Sequence, residues 1–559
     1  MNSYAIIGVV VVTLFFFFFL KEYFDSKRRV KKLYDEANKA FGNFSSKRFT
    51  PDEMNNIKKL FERYKSEDSV DDITASDLEL DEIFNRFNVS LSAPGRDYLY
   101  YLMRSPEYDE DALDSLEEKI SVFYENEGLR NRIRTYFFKI GDMRRANFFD
   151  CLDYFDTIAD KKLFKDYLCI ILSLCSIGLI FFFPTWGVVA LIASIIYGIL
   201  SYYSERGTIE AYIICFRYIV NFIKNSKKIC SEDVEVIKPE LETLKDICEE
   251  IKALEKGASI LGAGNSSIGT GNPLEIFADY GRMIFHFDII KFYKMLRLIK
   301  EKRERIEELY IVLGKIETYI TLASVRMALP TYCIPSRGKG LKGDNLYHPL
   351  ISNPVKNSIY TKDGVLITGS NASGKSTFLK TVALNVLFSG TIHTCTADSF
   401  TTDDYRLFSS MSLRDDILNK DSYFMVEIKA LKRIFDYKKQ YPDKNIICFV
   451  DEVLRGTNTV ERIAAVTQIL KNLKSIGILT FAATHDIELT ELLAGDYDNY
   501  HFDEEIKDND VLFNYLIKPG KATSKNAIRL LSIMGFSEDI VSKAQSMAED
   551  FTENGIWRG

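Results

Sequence analysis

Gly369-Ser-Asn-Ala-Ser-Gly-Lys-Ser-Thr377 fits the pattern G-x-x-x-x-G-K-[ST]. It lies between an apolar strand-like run, Val365-Leu-Ile-Thr368, and a helix-like run, Phe378 to Leu387. In that setting the pattern has a defined chemistry. Glycines let backbone N–H groups turn inward around phosphate oxygens, Lys375 reaches the β- and γ-phosphates, and the Ser376 hydroxyl ligates Mg²⁺. A chance Gly/Ser-rich turn has no reason to carry both the strand before it and the helix after it. The stretch therefore predicts a site for ATP or GTP with Mg²⁺. Its phosphate loop is Gly369, Ser370, Asn371, Ala372, Ser373, Gly374, Lys375, Ser376 and Thr377.

A phosphate loop needs an acidic partner for its metal. Ile446-Ile-Cys-Phe-Val450 is a continuous apolar run ending in Asp451-Glu452. A carboxylate at such a strand end sits beside Mg²⁺, and the next one is placed to orient or deprotonate water. Asp451 is thus the expected metal-side carboxylate and Glu452 the expected general base. A third run, Ile478 to Ala483, ends in Thr484-His485-Asp486. A histidine there is placed to hydrogen-bond the γ-phosphate or the attacking water, although taken alone it reads as structural. Short apolar runs alternating with helical ones from about Leu329 onward predict an α/β domain with a parallel-rich sheet, its nucleotide at the carboxyl edge.

Residues before 330 read differently. Ile57-Lys-Lys-Leu-Phe61, Leu113 to Tyr124, Ile209 to Ile223 and Glu240 to Leu254 have helical spacing, and a longer run covers Ile284 to Ala328. Ser92-Ala-Pro-Gly95 reads as a turn and Gly257 to Gly271 as a flexible loop. Three apolar segments stand out. Ala5 to Leu20 has no charge before it and Lys21, Lys27, Arg28 and Arg29 after it, so it reads as an uncleaved anchor rather than a signal peptide. Tyr167–Phe183 and Gly187–Tyr203 lie back to back around Pro184-Thr-Trp186, without a charged residue. Lys161, Lys162 and Lys165 precede the pair and Arg206 follows it, which puts both ends in the cytoplasm. The expected product is a multi-pass protein of the cell membrane with a cytoplasmic nucleotide domain.

Bulk properties set limits. Hydrophobic residues make up 47% and charged residues 27% of 559, the balance of a folded multidomain chain. A net charge of −7 leaves no global electrostatic footprint for nucleic acid, only room for a local basic face. Nine dispersed cysteines without a C-x-x-C pair predict reduced, mostly buried thiols and no metal site beyond the nucleotide's Mg²⁺.

Several further stretches resemble the MutS-type ATPases within the ABC-ATPase-like group. Asp451-Glu-Val-Leu-Arg455-Gly456-Thr457-Asn458-Thr459 resembles that family's D-E-x-G-R-G-T-S-T segment. Ser422-Tyr-Phe424-Met-Val-Glu427 resembles S-T-F-M-x-E, and Thr480 to Thr490 resembles F-A-T-H-x-x-E-L-T. Tyr515 to Gly520, Ser524 to Ile528 and His348-Pro349 match further motifs. Upstream, Asp77 to Pro106 and Ile316-Glu317 resemble the two ends of the family's helical core.

The resemblance implies ATP as the nucleotide and a homodimer whose site is shared. Lys375, Glu452 and His485 would act in catalysis, and Ser376 and Asp451 would hold Mg²⁺. Ser422 would approach the partner's nucleotide, with Asn371 lining the shared site. Together with the apolar segments read above, it implies an organisation. Residues 1–20 would be the anchor, 21–166 the start of a helical core, 167–203 a membrane hairpin and 204–330 the core and lever continuation. Residues 331–535 would form the ATPase domain and 536–559 a dimer-supporting helix.

The chain departs from the family pattern in places. Ser370, Ala372 and Ser373 stand for Pro, Met and Gly, Leu454 for Gly, and Asn458 for Ser. A mismatch-reading domain and its F-x-E wedge are not expected. Two functions follow: a membrane-tethered ATPase of mismatch-repair ancestry that binds DNA, or an ATP-driven membrane switch that does not.

Overall fold

The computed structural model describes residues 38–143, 147–159, 161–254, 283–370, 373–411, 423–454, 457–507, 510–522 and 534–554, with scattered positions elsewhere. The predicted anchor (apart from Phe17) and the loop at Gly257 to Gly271 lie outside the described residues. The chain divides into two compact units. One comprises residues 1–64, 87–101 and 115–328; the other comprises 65–86, 102–114 and 329–559. Residues 65–86 and 102–114, which the family resemblance puts in the helical core, thus fall in the second unit.

The first unit is helical. Its helix Pro51–Tyr64 starts with a reciprocal cap: the Thr50 amide donates to Glu53 Oε2 at 2.9 Å, and the Glu53 amide to Thr50 Oγ1 at 3.3 Å. Helix Arg303–Ala328 is buried on nearly all sides, from Ile306 to Arg326. It is separated from helix Phe287–Glu301 at Lys302, whose φ of −113° and ψ of 21° leave the helical region, so the single run expected over Ile284 to Ala328 is two helices. Ser92-Ala-Pro-Gly95 proves to be the entry of a helix beginning at Ala93. Buried Glu317 accepts the Leu91 and Ser92 amides there, at 2.5 and 3.2 Å. Burial pushes its carboxyl up to about 7. A Cβ on Gly314 would lie 2.7 Å from the Pro94 carbonyl oxygen, so only glycine admits this approach.

Two helices of this unit are long and apolar enough to cross a membrane: Phe164–Phe182, and Pro184–Glu205 within a helix that runs on to Ile229. The fold class expected three; the third candidate is the anchor, outside the described residues. Only 22% and 17% of their apolar windows are buried. Leu174, Phe181, Val189, Ile192 and Leu200 face outward, whereas Ser173 and Ser194 are buried with their hydroxyls 3.4 Å apart. A Cβ on Gly187 would fall 2.5 Å from the Ile180 nitrogen, so the helices meet closely near the turn. Small and polar inside, apolar outside, is the reverse of a water-soluble helix pair.

The expectation that every cysteine is a free thiol is corrected here. Cys151 and Cys215 form a disulfide between helix Phe148–Thr157 and the long helix, while the other seven are free. Their Cα atoms are 6.1 Å apart, within disulfide reach. A separation of 64 residues carries no local signal, so helix packing alone brings them together.

The second unit holds two sheets. A four-stranded one has the order β1 (Ser336–Arg337), β5 (Ser399–Thr402), β2 (Leu341–Leu346), β3 (Asn357–Thr361). The six-stranded sheet runs β10 (Asp510–Pro519), β9 (Tyr497–Lys507), β4 (Gly364–Thr368), β8 (Ile478–Thr484), β7 (Ile446–Asp451), β6 (Arg406–Ser410). All its pairs are parallel except β9–β10. Continuous apolar runs make β4 and β7 central strands, covered on both faces. Register sets Thr368 beside Thr484, and Asp451 beside Ala483, so three strands end level at one edge. Helix Asp72–Asp77 docks beside β6, where Asp77 accepts the Ser409 hydroxyl at 2.6 Å and the Met411 amide at 2.9 Å. Two donors satisfy a carboxylate that is 1% exposed.

Candidate functional site

The level edge of β4, β7 and β8 carries the predicted residues. Strand β4 runs into Gly369, whose φ is 149°; a Cβ there would lie 3.0 Å from both the Phe502 carbonyl oxygen and Ser373 Oγ. Gly374 has φ of 106° and precedes helix Lys375–Gly390; a Cβ on it would reach Tyr515 at 3.2 Å. Both glycines of the motif are therefore required by conformation and by space. Asn371 and Ala372 lie outside the described residues.

Lys375 is 4% exposed and folds back across its own loop, its Nζ donating to the carbonyls of Gly369 at 2.8 Å and Ser370 at 2.7 Å. Ser373 Oγ is buried without a hydrogen-bond partner among the described residues, although a buried hydroxyl is costly unless it finds one. Ser376 and Thr377 are exposed on the first helical turn. This donor set fits a phosphate chain with its metal: an ammonium, free hydroxyls, and a helix N-terminus.

Across the loop, the Glu452 amide donates to the Ala483 carbonyl at 2.9 Å, holding Glu452 at φ 51°. Its carboxylate faces His485 Nε2 in direct contact. His485 Nδ1 is 3.0 Å from the Gly369 carbonyl oxygen, so this nitrogen is the donor. His485 thus bridges the acid after β7 to the phosphate loop after β4. Asp451 is half-buried at the end of β7. These positions line or flank a cavity of about 440 Å³, within the usual range for a ligand pocket.

Other residues of the cavity are not assigned from sequence: Phe502 lies in no motif, and Tyr515 only opens the stretch Tyr515 to Gly520 quoted above. Phe502 and Tyr515 come from β9 and β10, the antiparallel edge pair that alternation of apolar runs did not reveal. Glu504 on β9 accepts the Ser370 hydroxyl at 2.9 Å. His348, quoted above only as part of His348-Pro349, also lines the cavity, and burial pushes its imidazole down to about 4, so it is neutral at physiological pH. Arg462 and Asp486 form a two-pronged pair at 2.6 and 2.9 Å just past His485. Ser422, Arg455 and Gly456 lie outside the described residues.

The departures at 454 and 458 have structural explanations. Leu454 adopts φ 59°, the left-handed conformation that favours glycine, yet its side chain is 4% exposed in the apolar core and its amide donates to buried Glu427 at 2.8 Å. Packing offsets a backbone cost of about 1–2 kcal/mol. Leu454→Ala is therefore expected to destabilise more than Leu454→Gly, by about 1 kcal/mol, because alanine keeps the strain while both lose the packing. Denaturant unfolding of the two variants checks this; an alanine variant at least as stable as the glycine one refutes the account. Asn458 Oδ1 accepts the Val460 amide at 2.9 Å and caps helix Thr459–Ser475, as a serine would.

Residues 365–552 match the family model described as MutS domain V. The chain is similar to DNA mismatch repair protein MutS 2 of Haloarcula marismortui, 29% identical over 286 residues, covering 45% of this chain and 29% of that protein. It is also similar to DNA mismatch repair protein MutS of Halothermothrix orenii, 28% identical over 282 residues, with coverages of 47% and 31%. The corresponding figures for DNA mismatch repair protein MutS of Leptospira interrogans are 34% over 206 residues, 35% and 24%. The chain therefore spans less than a third of the length of each of these relatives.

Proposed function

We propose, for a chain that is of the MutS type in its C-terminal part, that it is a membrane-anchored ATPase working as a homodimer. The observation that carries the ATPase reading is the meeting of Lys375, the unpartnered Ser373 hydroxyl and the Glu452–His485 pair around one cavity. Ser376 and Asp451 would hold Mg²⁺, which when bound would supply positive charge against the phosphates. Lys375 leaves the Gly369 and Ser370 carbonyls to take a phosphate oxygen. Glu452 accepts a proton from the attacking water, and His485 holds that carboxylate in place beside the γ-phosphate. Ser422 and Asn371 complete the site across the dimer, so that ATP closes two domains together.

Membrane anchoring is supported by the outward apolar faces of Phe164–Phe182 and Pro184–Glu205, with Lys161, Lys162 and Lys165 before the pair and Arg206 after it. Similarity to DNA mismatch repair proteins speaks for a mismatch-repair ancestry. The hairpin and the acidic balance favour ATP-driven work at a membrane over DNA handling.

One experiment separates the two readings. The detergent-solubilised dimer is titrated with duplex, mismatched and branched DNA at several salt concentrations while ATP hydrolysis is followed. We expect hydrolysis without salt-sensitive DNA binding. Affinity that falls steeply with salt for any of these DNAs would assign it to DNA instead.

A further inference from the structure

The base of the apolar hairpin is clamped by a buried polar cluster. Asp166, 2% exposed in its side chain, faces His286 Nδ1 at 2.8 Å and Lys161 Nζ at 3.1 Å. His286 Nε2 donates to the Gly198 carbonyl on the other hairpin helix at 2.9 Å, and Lys161 also pairs with Glu205 at 2.5 Å. The cluster draws helix Phe287–Glu301 against the start of the first span. Lys294 Nζ stands 5.6 Å from the centre of the Tyr167 ring, and Lys161 Nζ 5.5 Å from that of Tyr293.

Charge is left over around this base. Lys161 is neutralised by its two carboxylates, but Lys162, Lys165, Lys294 and Arg297 are exposed and have no acidic partner among the described residues. Lys294 and Arg297 are three apart on one helix face, and Lys162 and Lys165 flank the beginning of the first span. Exposed Phe164, Tyr167, Tyr203 and Phe287 stand among them. Aromatic rings mixed with unpaired cations, at the end of an outward-facing apolar hairpin, match the headgroup layer of a bilayer in both polarity and charge.

We propose that Lys162, Lys165, Lys294 and Arg297 form a binding surface for the headgroup phosphates of anionic phospholipids. The surface rests on the membrane reading above and adds a lipid preference to it. Helix Phe287–Glu301 becomes an interfacial element, held in place by His286 and Asp166.

Full-length protein is reconstituted into vesicles of phosphatidylcholine with a minor fraction of phosphatidylglycerol, and the lipids it retains are weighed by native mass spectrometry. Wild type is expected to enrich phosphatidylglycerol, with about fivefold lost per charge removed. The variant carrying K162Q, K165Q, K294Q and R297Q is expected to retain both lipids in bulk proportion. The K162Q/K165Q pair, which leaves the later helix untouched, is expected to fall between. A wild type without preference, or a quadruple variant that keeps it, overturns the proposal while flotation with the vesicles upholds the membrane reading. Failure to float with either lipid overturns the membrane reading itself. Duplex DNA that binds through these same charges, with no lipid preference, also overturns the proposal.

Discussion

Replacing Glu452 by glutamine is expected to cut ATP turnover about 10²–10⁴-fold while nucleotide affinity changes little. Glu452 follows Asp451 at the end of β7, and the hydrogen bond from its amide to the Ala483 carbonyl fixes its unusual backbone. Glutamine keeps the shape and an oxygen for His485, so the bridge to Gly369 is retained. It has no basicity, so it cannot take a proton from water. Phosphate release and fluorescent-nucleotide binding measured on one preparation test this. Turnover at the wild-type rate removes Glu452 from the base role; loss of binding together with turnover makes it a residue that holds the loop instead.

Lys375→Ala is expected to abolish turnover and to weaken nucleotide binding about 10–100-fold, the value of a charge-assisted hydrogen bond of roughly 1.5–3 kcal/mol. The ammonium is almost wholly buried and held by two carbonyls of the loop it serves. Removing it therefore takes away a phosphate contact and also loosens the loop. Lys375→Met separates these effects, because it fills similar space without charge. Circular dichroism spectra like those of wild type, with binding weakened and turnover lost in both variants, are the expected outcome. Hydrolysis by the methionine variant would overturn the role of the charge.

Both predictions concern residues whose importance is visible before any folding. The phosphate loop is a local pattern: a strand, a turn with glycines, and a helix, all within about twenty residues. Strands β4, β7 and β8 are legible for a similar reason, since a central parallel strand is a short, unbroken apolar run. The edge pair β9–β10 was not legible. Its residues alternate weakly and include Asp503, Glu504 and Asn514, so no continuous apolar run marks it. Phe502, Glu504 and Tyr515 reach the site only because β9 pairs with β4.

Leu454 shows the same limit. As a departure from the family pattern it has no explanation in sequence; its left-handed backbone and its place in the core supply one. The disulfide between Cys151 and Cys215 is likewise a product of packing.

The sequence by itself determined the α/β class of the C-terminal part, the positions of Lys375 and Ser376 at a helix start and of Asp451, Glu452 and His485 at strand ends, and a charge-free apolar hairpin. These depend on residues close together in the chain, where spacing translates directly into strand, turn or helix. Tertiary structure alone decided that His485 joins Glu452 to Gly369, that His348, Phe502 and Tyr515 complete the cavity, and that His286 ties the later helix to the hairpin base. Those contacts join residues far apart in the chain. Only strand order and helix packing, which no local pattern encodes, bring them within bonding distance.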